Sequence, residues 1–376
     1  MNGVSRGAGF KTNNFDLIRL FAALQVLIFH ATHHLDAPLN SHAVNWLVSL
    51  FPGVPIFFFV SGFLISSSFE TNNSLRDYTL NRALRIYPAL LVCLGITIAL
   101  VASTGYFQQE FSGKEFLVWV ACQMTFMQFF NPDFLRGFGV GVVNGSLWTI
   151  SVELQFYVLV PCLYALLTRL GNRGKRSDLA IAGLLLLFLV ANRWYFAMED
   201  SLSEHLAHRL MGVSFVPWFY MFLLGVLAQR HFAMLHRLLA GKGLYLLVAY
   251  VLLMFAINPF GVVRGNALGP FSYAALALVV FSCAYSLPML SRRLLAGNDI
   301  SYGVYIYHMP VVNVLIELGF RGRPVDVVAA TTLTVLLACL SWFAVERPAL
   351  RLKRHPMNPF SDRWSAPSKV PRNSGI

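Results

Sequence analysis

A chain of 376 residues that is 57% hydrophobic and only 12% charged is no ordinary soluble domain, whose charged share is about a quarter. The net charge of +12 would point to nucleic acid in a soluble chain; in a membrane chain it reads as basic loops held against anionic lipid. Membrane lipids, and no nucleic acid, are therefore the expected partners. Apolar runs of about 20 residues point to helices rather than barrel strands. The five cysteines (Cys93, Cys122, Cys162, Cys283 and Cys339) lie in or beside apolar segments without a metal-ligand spacing. They read as buried thiols. The first apolar run follows a polar arm and is not followed by a small-residue cleavage pattern, so no cleavable signal peptide is expected.

In chain order the predicted spans are 15–36, 44–68, 86–105, 143–168, 179–197, 213–229, 243–260, 269–288, 300–320 and 326–345. The stretch 115–131 is too short and too polar at its ends to join them and reads as interfacial or re-entrant. Ten spans with the N-terminus inside place 21 basic residues on the cytoplasmic side and seven on the other, with Arg19 inside a span. That bias orients both termini to the cytoplasm. The expected fold is an all-α integral membrane protein of about ten transmembrane helices. Residues 1–14 form a cytoplasmic arm, 15–354 the membrane domain, and 355–376 a polar, Pro/Ser/Arg-rich cytoplasmic tail read as disordered.

Ionisable residues inside such spans cost several kcal/mol and mark function by default. In FDLIRLFAALQVLIFH, Arg19 and His30 are eleven residues apart, close to three full turns, so they share a helix face about 16 Å apart along the axis. Arg19 lies near the cytoplasmic end beside Asp16, and His30 lies deeper. A cation at the entrance and a proton-transfer group within suit a large anionic donor. The plainer reading has Arg19 snorkelling to the headgroups and His30 as a hydrogen-bonded core residue. His33 and His34 read as interfacial polar residues; no third ligand accompanies the i, i+4 pair His30 and His34, so no metal is expected. Ser61–Gly62 interrupts an apolar helix and lets a helix or a ligand approach. Arg82 and Arg85, i and i+3, begin the third span and suit either phosphate binding or cytoplasmic anchoring. Glu153, one turn and a half beyond Trp148, lies about 14 Å into its span, near the depth of His30. A carboxylate that orients a histidine makes a general base; a structural hydrogen bond is the alternative. Asp299 and Tyr302 stand at a cytoplasmic boundary, with His308 deeper, either lining the same cavity or capping backbone freed by Pro310.

FDLIRLFAALQVLIFH resembles the Arg-x10-His signature of the acyltransferase-3 family of membrane O-acyltransferases. VPIFFFVSGFLIS, NRALRIYP, SLWTISVELQFY, ISYGVYIYHMP and the closing VERPALRLKR resemble further family segments, in order over residues 15–354. The resemblance implies transfer of an acyl group, commonly acetyl, from cytoplasmic acyl-CoA to a hydroxyl of a glycan, lipid-linked sugar or small molecule. No cofactor is permanently bound; acetyl-CoA or another acyl-CoA is a co-substrate. The resemblance assigns His30 and Glu153 to catalysis and Arg19, Arg82, Arg85, Ser61 and Gly62 to the donor. Asp16, Trp148, Tyr302 and His308 are candidate cavity-lining residues. It implies a bacterial inner-membrane location. Because the chain ends soon after its last predicted span, it resembles the stand-alone subtype without an SGNH-type domain, whose transfer a separate extracytoplasmic partner completes where one is needed. The competing class is a proton-coupled transporter or flippase, separated from an acyltransferase by whether thioester is consumed.

Overall fold

The computed structural model describes residues 12–38, 42–71, 74–171, 173–258, 265–287 and 289–353. Most of the expected arm and the whole expected tail lie outside the described residues. So do Arg6, Lys11, Arg264 and the basic residues from Arg354 onward that entered the orientation argument.

Every regular element among the described residues is helical. The first helix, α1, spans Phe15–His34. Asn14 fixes its start by donating through Nδ2 to the Ser286 carbonyl at 2.6 Å and accepting through Oδ1 from the Ser291 amide at 2.9 Å. α2 (His42–Ser49) and α3 (Gly53–Thr71) are two parts of one 28-residue apolar stretch broken at Pro52. The break leaves backbone end groups without helical partners. Gln25 of α1 satisfies both sides, accepting from the Gly53 amide at 2.7 Å and donating to the Val48 carbonyl at 3.0 Å.

α4 (Leu75–Ser103) starts at a Ser74 cap that accepts from the Asp77 amide. α5 (Gly113–Gln123) falls in the stretch read as interfacial; its Trp119 packs with Val101, Phe134, Leu135 and Phe138 into a small apolar cluster of its own. Then follow α6 (Trp148–Arg169), α7 (Lys175–Ala197), α8 (Phe219–Arg230), α9 (Phe232–Leu239) and α10 (Gly243–Ile257). α11 (Pro270–Ala284), α12 (Ser301–Glu317) and α13 (Pro324–Ser341) come next. α13 runs on through a π-helical turn at Trp342–Glu346 into α14 (Arg347–Arg351).

Among the described residues, six helical stretches are long and apolar enough to cross a membrane: α1, α2–α3, α4, α6 with its preceding turn, α7, and α13–α14. α9 and α10, bent by 85°, make a seventh if they form one crossing. The other predicted spans correspond to shorter helices: α8 has 12 residues, α11 has 15 and α12 has 17. An apolar run need not be helical throughout: residues 213–218, counted into a span by hydropathy, are turns here.

α12 is the buried centre, with 15 of its 17 residues shielded, and it packs against α1 and α13. α3 and α8 make the most extensive helix pair. Their approach depends on glycine: a Cβ on Gly62 would collide with the Phe222 carbonyl, and one on Gly225 with the Phe59 carbonyl.

Two interior prolines tie helices together. A helical proline leaves the carbonyl four residues earlier without its donor. Pro161 frees that of Tyr157, which accepts from the Tyr78 hydroxyl of α4 at 3.1 Å. Pro310 frees that of Ile306, which accepts from Asn144 Nδ2 at 2.9 Å and the Cys93 thiol at 3.3 Å. In a bilayer, where water cannot serve, such side-chain donors let a broken helix persist.

A candidate active site along the first helix

One face of α1 carries both ends of the site. At the N-terminal end, Arg19 turns inward rather than snorkelling, and its Nη1 donates to Asp299 Oδ2 at 2.6 Å. Arg85 of α4 reaches the same oxygen through Nη2 at 2.5 Å. The other oxygen, Oδ1, accepts from the Ser301 hydroxyl at 2.5 Å and its amide at 3.2 Å. Asp299 thus joins α1, α4 and the start of α12. Burial alone would raise its carboxyl, but the two guanidiniums outweigh it and hold the group well below the usual carboxylate range.

Arg85 lies over the Tyr302 ring at 5.9 Å. Arg82 lies between Tyr78 and Tyr157, at 6.0 and 5.7 Å from their ring centres, and donates to the Ser68 hydroxyl at 3.2 Å. Its Nε is buried without a hydrogen-bond partner. Asp16 is within electrostatic reach of Asp299, Arg19 and Arg85. Lys353, just past α14, completes the cluster. Burial, reinforced by Arg82, Arg85 and Arg19, pushes its ammonium down to about 7.

Beside this cluster is a narrow cavity of about 30 Å³, room for roughly one water molecule, lined by Arg19, Phe57, Ser61, Thr149, Glu153 and Tyr305, among others. Tyr302 also lines it. Glu153 projects from α6 and accepts from the Tyr157 hydroxyl one turn on at 2.7 Å. Gly62 is not part of the lining; it is buried against Phe222. Trp148 also lies outside the lining and packs on Trp218 with ring centres 5.1 Å apart.

His30 stands further along α1. Its Nδ1 is 2.9 Å from Nε2 of His308, and the two rings stack at 5.2 Å. His308 is fully buried, and its Nδ1 lies 2.6 Å from the Tyr305 carbonyl. Tyr305 links the two regions: its ring lines the cavity and meets that of His308 at 5.8 Å. Depth along the spans pairs His30 with Glu153; the structure pairs His30 with His308 and Glu153 with Tyr157. His308 does not take up the carbonyl freed by Pro310, which Asn144 and Cys93 hold. No group of three His, Cys, Asp or Glu side chains among the described residues is arranged to hold a metal.

The site also includes residues that the sequence argument passed over. In sequence Asp299 is only a boundary residue, although arginines buried beside a span, as Arg19 and Arg85 are, require a counter-charge. Thr149 and Tyr305, hydrogen-bonded to each other at 2.7 Å, carried no signal beyond mild polarity within a span.

The sequence model of the acyltransferase-3 family, described as an acyltransferase domain, matches residues 12–343. Nodulation protein 10 of Rhizobium leguminosarum bv. viciae is 34% identical over 355 residues, covering 91% of this chain and 94% of that protein. The O-acetyl transferase of Shigella phage Sf6 is 29% identical over 343 residues, covering 90% and 96%. O-acetyltransferase OatA of Staphylococcus aureus is 24% identical over 358 residues, covering 89% of this chain but 56% of that longer protein. No solved structure matches the chain at a significant level. The matched region begins before Arg19 and ends past His308, so it contains the arginine cluster, the cavity and the histidine pair: this multi-pass helical membrane protein belongs to the acyltransferase-3 family.

Proposed function

We infer that the protein is an O-acyltransferase that moves an acyl group, acetyl in the first instance, from acyl-CoA to a hydroxyl of a glycan, lipid-linked sugar or small molecule. The observation that carries this reading is the division of one α1 face into a cationic end at Arg19, which lines the cavity, and an imidazole end at His30. Ten crossings with cytoplasmic termini in a bacterial inner membrane put the cationic end toward the cytoplasm, where CoA resides. The four basic groups Arg19, Arg82, Arg85 and Lys353 outnumber the three carboxyls within their reach, Asp16, Asp299 and Glu346, so the cluster retains positive charge for the donor's phosphates. The pantetheine arm then enters along the narrow cavity, which widens to admit it, and Ser61 and Glu153 offer partners to its amide groups.

In the transfer step His30 takes the proton of the acceptor hydroxyl. The hydroxyl oxygen bonds to the thioester carbonyl carbon, the C–S bond breaks, and CoA leaves as the thiolate that recovers a proton. Transfer of acetyl to an oxygen matches the O-acetyltransferase names of two of the relatives, and a glycan, with a separate extracytoplasmic partner where one is needed, is the acceptor class adopted for the test. The test is CoA release from acetyl-CoA by purified protein in nanodiscs with a polysaccharide or lipid-linked sugar acceptor, wild type beside His30→Ala. Loss of release with retained folding in the variant is expected; equal rates would remove His30 from the chemistry.

A further inference from the structure

The pairing of His30 with His308 determines more than proximity. A backbone carbonyl only accepts hydrogen bonds, so the 2.6 Å contact to Tyr305 requires that Nδ1 of His308 carry a hydrogen. In a neutral His308 the other nitrogen, Nε2, is then a bare acceptor. It lies 2.9 Å from Nδ1 of His30, so His30 must donate there. With its hydrogen committed to Nδ1, a neutral His30 carries its free lone pair on Nε2. Each step follows from the hydrogen-bonding capacity of the groups; the nitrogen that carries the proton is set by the bond the other one makes.

We propose that His308 is the positioning residue of the active site, fixing His30 as the Nδ1–H tautomer so that Nε2 is the basic nitrogen presented to the acceptor. This rests on the reading of His30 as the general base. His308 occupies the place a carboxylate holds in a hydrolase triad, but as a neutral ring anchored by backbone. A fully buried carboxylate there would need its own counter-charge; an imidazole does not. When Nε2 of His30 takes the acceptor proton, the positive charge on His30 is met by the lone pair of His308, and the proton between the rings can be held by either.

The experiment separates the two nitrogens of His308. In His308→Gln, Oε1 replaces Nε2 as the acceptor facing His30. In His308→Asn, the amide replaces only Nδ1, keeping the Tyr305 contact and losing the one to His30. The readouts are CoA release, donor affinity, and ¹⁵N-histidine solid-state NMR of protein in lipid, with the His30 signal identified by its loss in His30→Gln. The expected result is Nδ1–H His30 in wild type and H308Q, and a tautomer mixture in H308N. Turnover should fall about 100-fold in H308N, with H308Q recovering at least tenfold of that and donor affinity unchanged in both. An Nε2–H tautomer of His30 in wild type, or H308N turning over as fast as H308Q, would overturn the proposal. If the tautomers are as expected but His30→Ala still turns over at the wild-type rate, the base assignment fails while the positioning geometry stands.

Discussion

A single carboxylate oxygen, Oδ2 of Asp299, serves two arginines from different helices, and its loss has calculable consequences. Asp299→Asn leaves two largely buried guanidiniums facing each other; breaking a pair of this kind costs about 3–5 kcal/mol when the remaining charge stays buried. Because Arg19 and Arg85 are 18% and 12% exposed, the lower end of that range is expected. Added CoA, whose phosphates replace the missing charge, should restore more thermal stability to the variant than it adds to wild type; tryptophan-fluorescence melts with and without CoA measure this. The sign with pH follows from the lowered carboxyl. The stabilisation is complete above the ordinary unfolded value near 4 and is lost only as pH falls through the depressed folded value, so mild acid leaves the cluster joined. Lys353 behaves oppositely. Its ammonium is held down to about 7, and a phosphate arriving nearby favours the charged form, so donor binding takes up a proton. Between pH 7.5 and 9, where phosphate is already fully ionised, CoA affinity should weaken by up to about tenfold per unit. Calorimetry on Lys353→Met should show that dependence flattened. Arg19 and His30 were legible in the sequence because helical periodicity places both on one face. Their partners were not. Depth along a span puts Glu153 and His30 on one level, but it says nothing of position around the bundle, and that decides which side chain His30 meets.

At the scale of the element, the helices are held to one another at their defects. The Tyr78 hydroxyl occupies the carbonyl that Pro161 leaves open, so the two residues should be energetically coupled. Tyr78→Phe leaves the Tyr157 carbonyl unsatisfied in a buried place, a loss of about 1–3 kcal/mol. Pro161→Ala restores an amide donor four residues on. In the double variant the Tyr78 change should therefore cost about 1 kcal/mol less than it does alone, and a double-mutant cycle of unfolding in detergent measures the difference. Additive effects would show that the tyrosine makes no use of the open carbonyl. The prolines themselves were visible in the sequence as breaks. Which donors would repair them was not, because Tyr78, Asn144 and Cys93 lie far from them along the chain.

For the whole molecule, hydropathy located the long crossings well because α1, α4, α6, α7 and α13 are apolar over most of their length. It overextended the spans around α8 and α11, where apolar residues continue through turns. It also gave no hint that α12 would be enclosed almost completely, since a shielded helix and a lipid-facing one are equally apolar to a hydropathy window. α1 stands between these two environments. Opposite Arg19 and His30 it presents Leu17, Ile18, Phe21, Leu24 and Ile28 to an open apolar groove shared with α2, α3, α10 and α11, and Phe21 is 50% exposed. The helix that carries Arg19 and His30 therefore also turns an apolar face outward, where lipid chains would pack. A bilayer thicker or thinner than its apolar length is accommodated by tilt, at fractions of a kcal/mol per Å. Tilt of α1 moves Arg19 and His30 in opposite directions relative to α12, which carries His308 and is preceded by Asp299. Turnover should thus peak at one acyl-chain length when the protein is reconstituted across phosphatidylcholines from 14 to 22 carbons, while CoA affinity, set at the headgroup end, shifts less. Membrane thickness enters this reaction as a geometric variable of the active site, transmitted through the outer face of one helix.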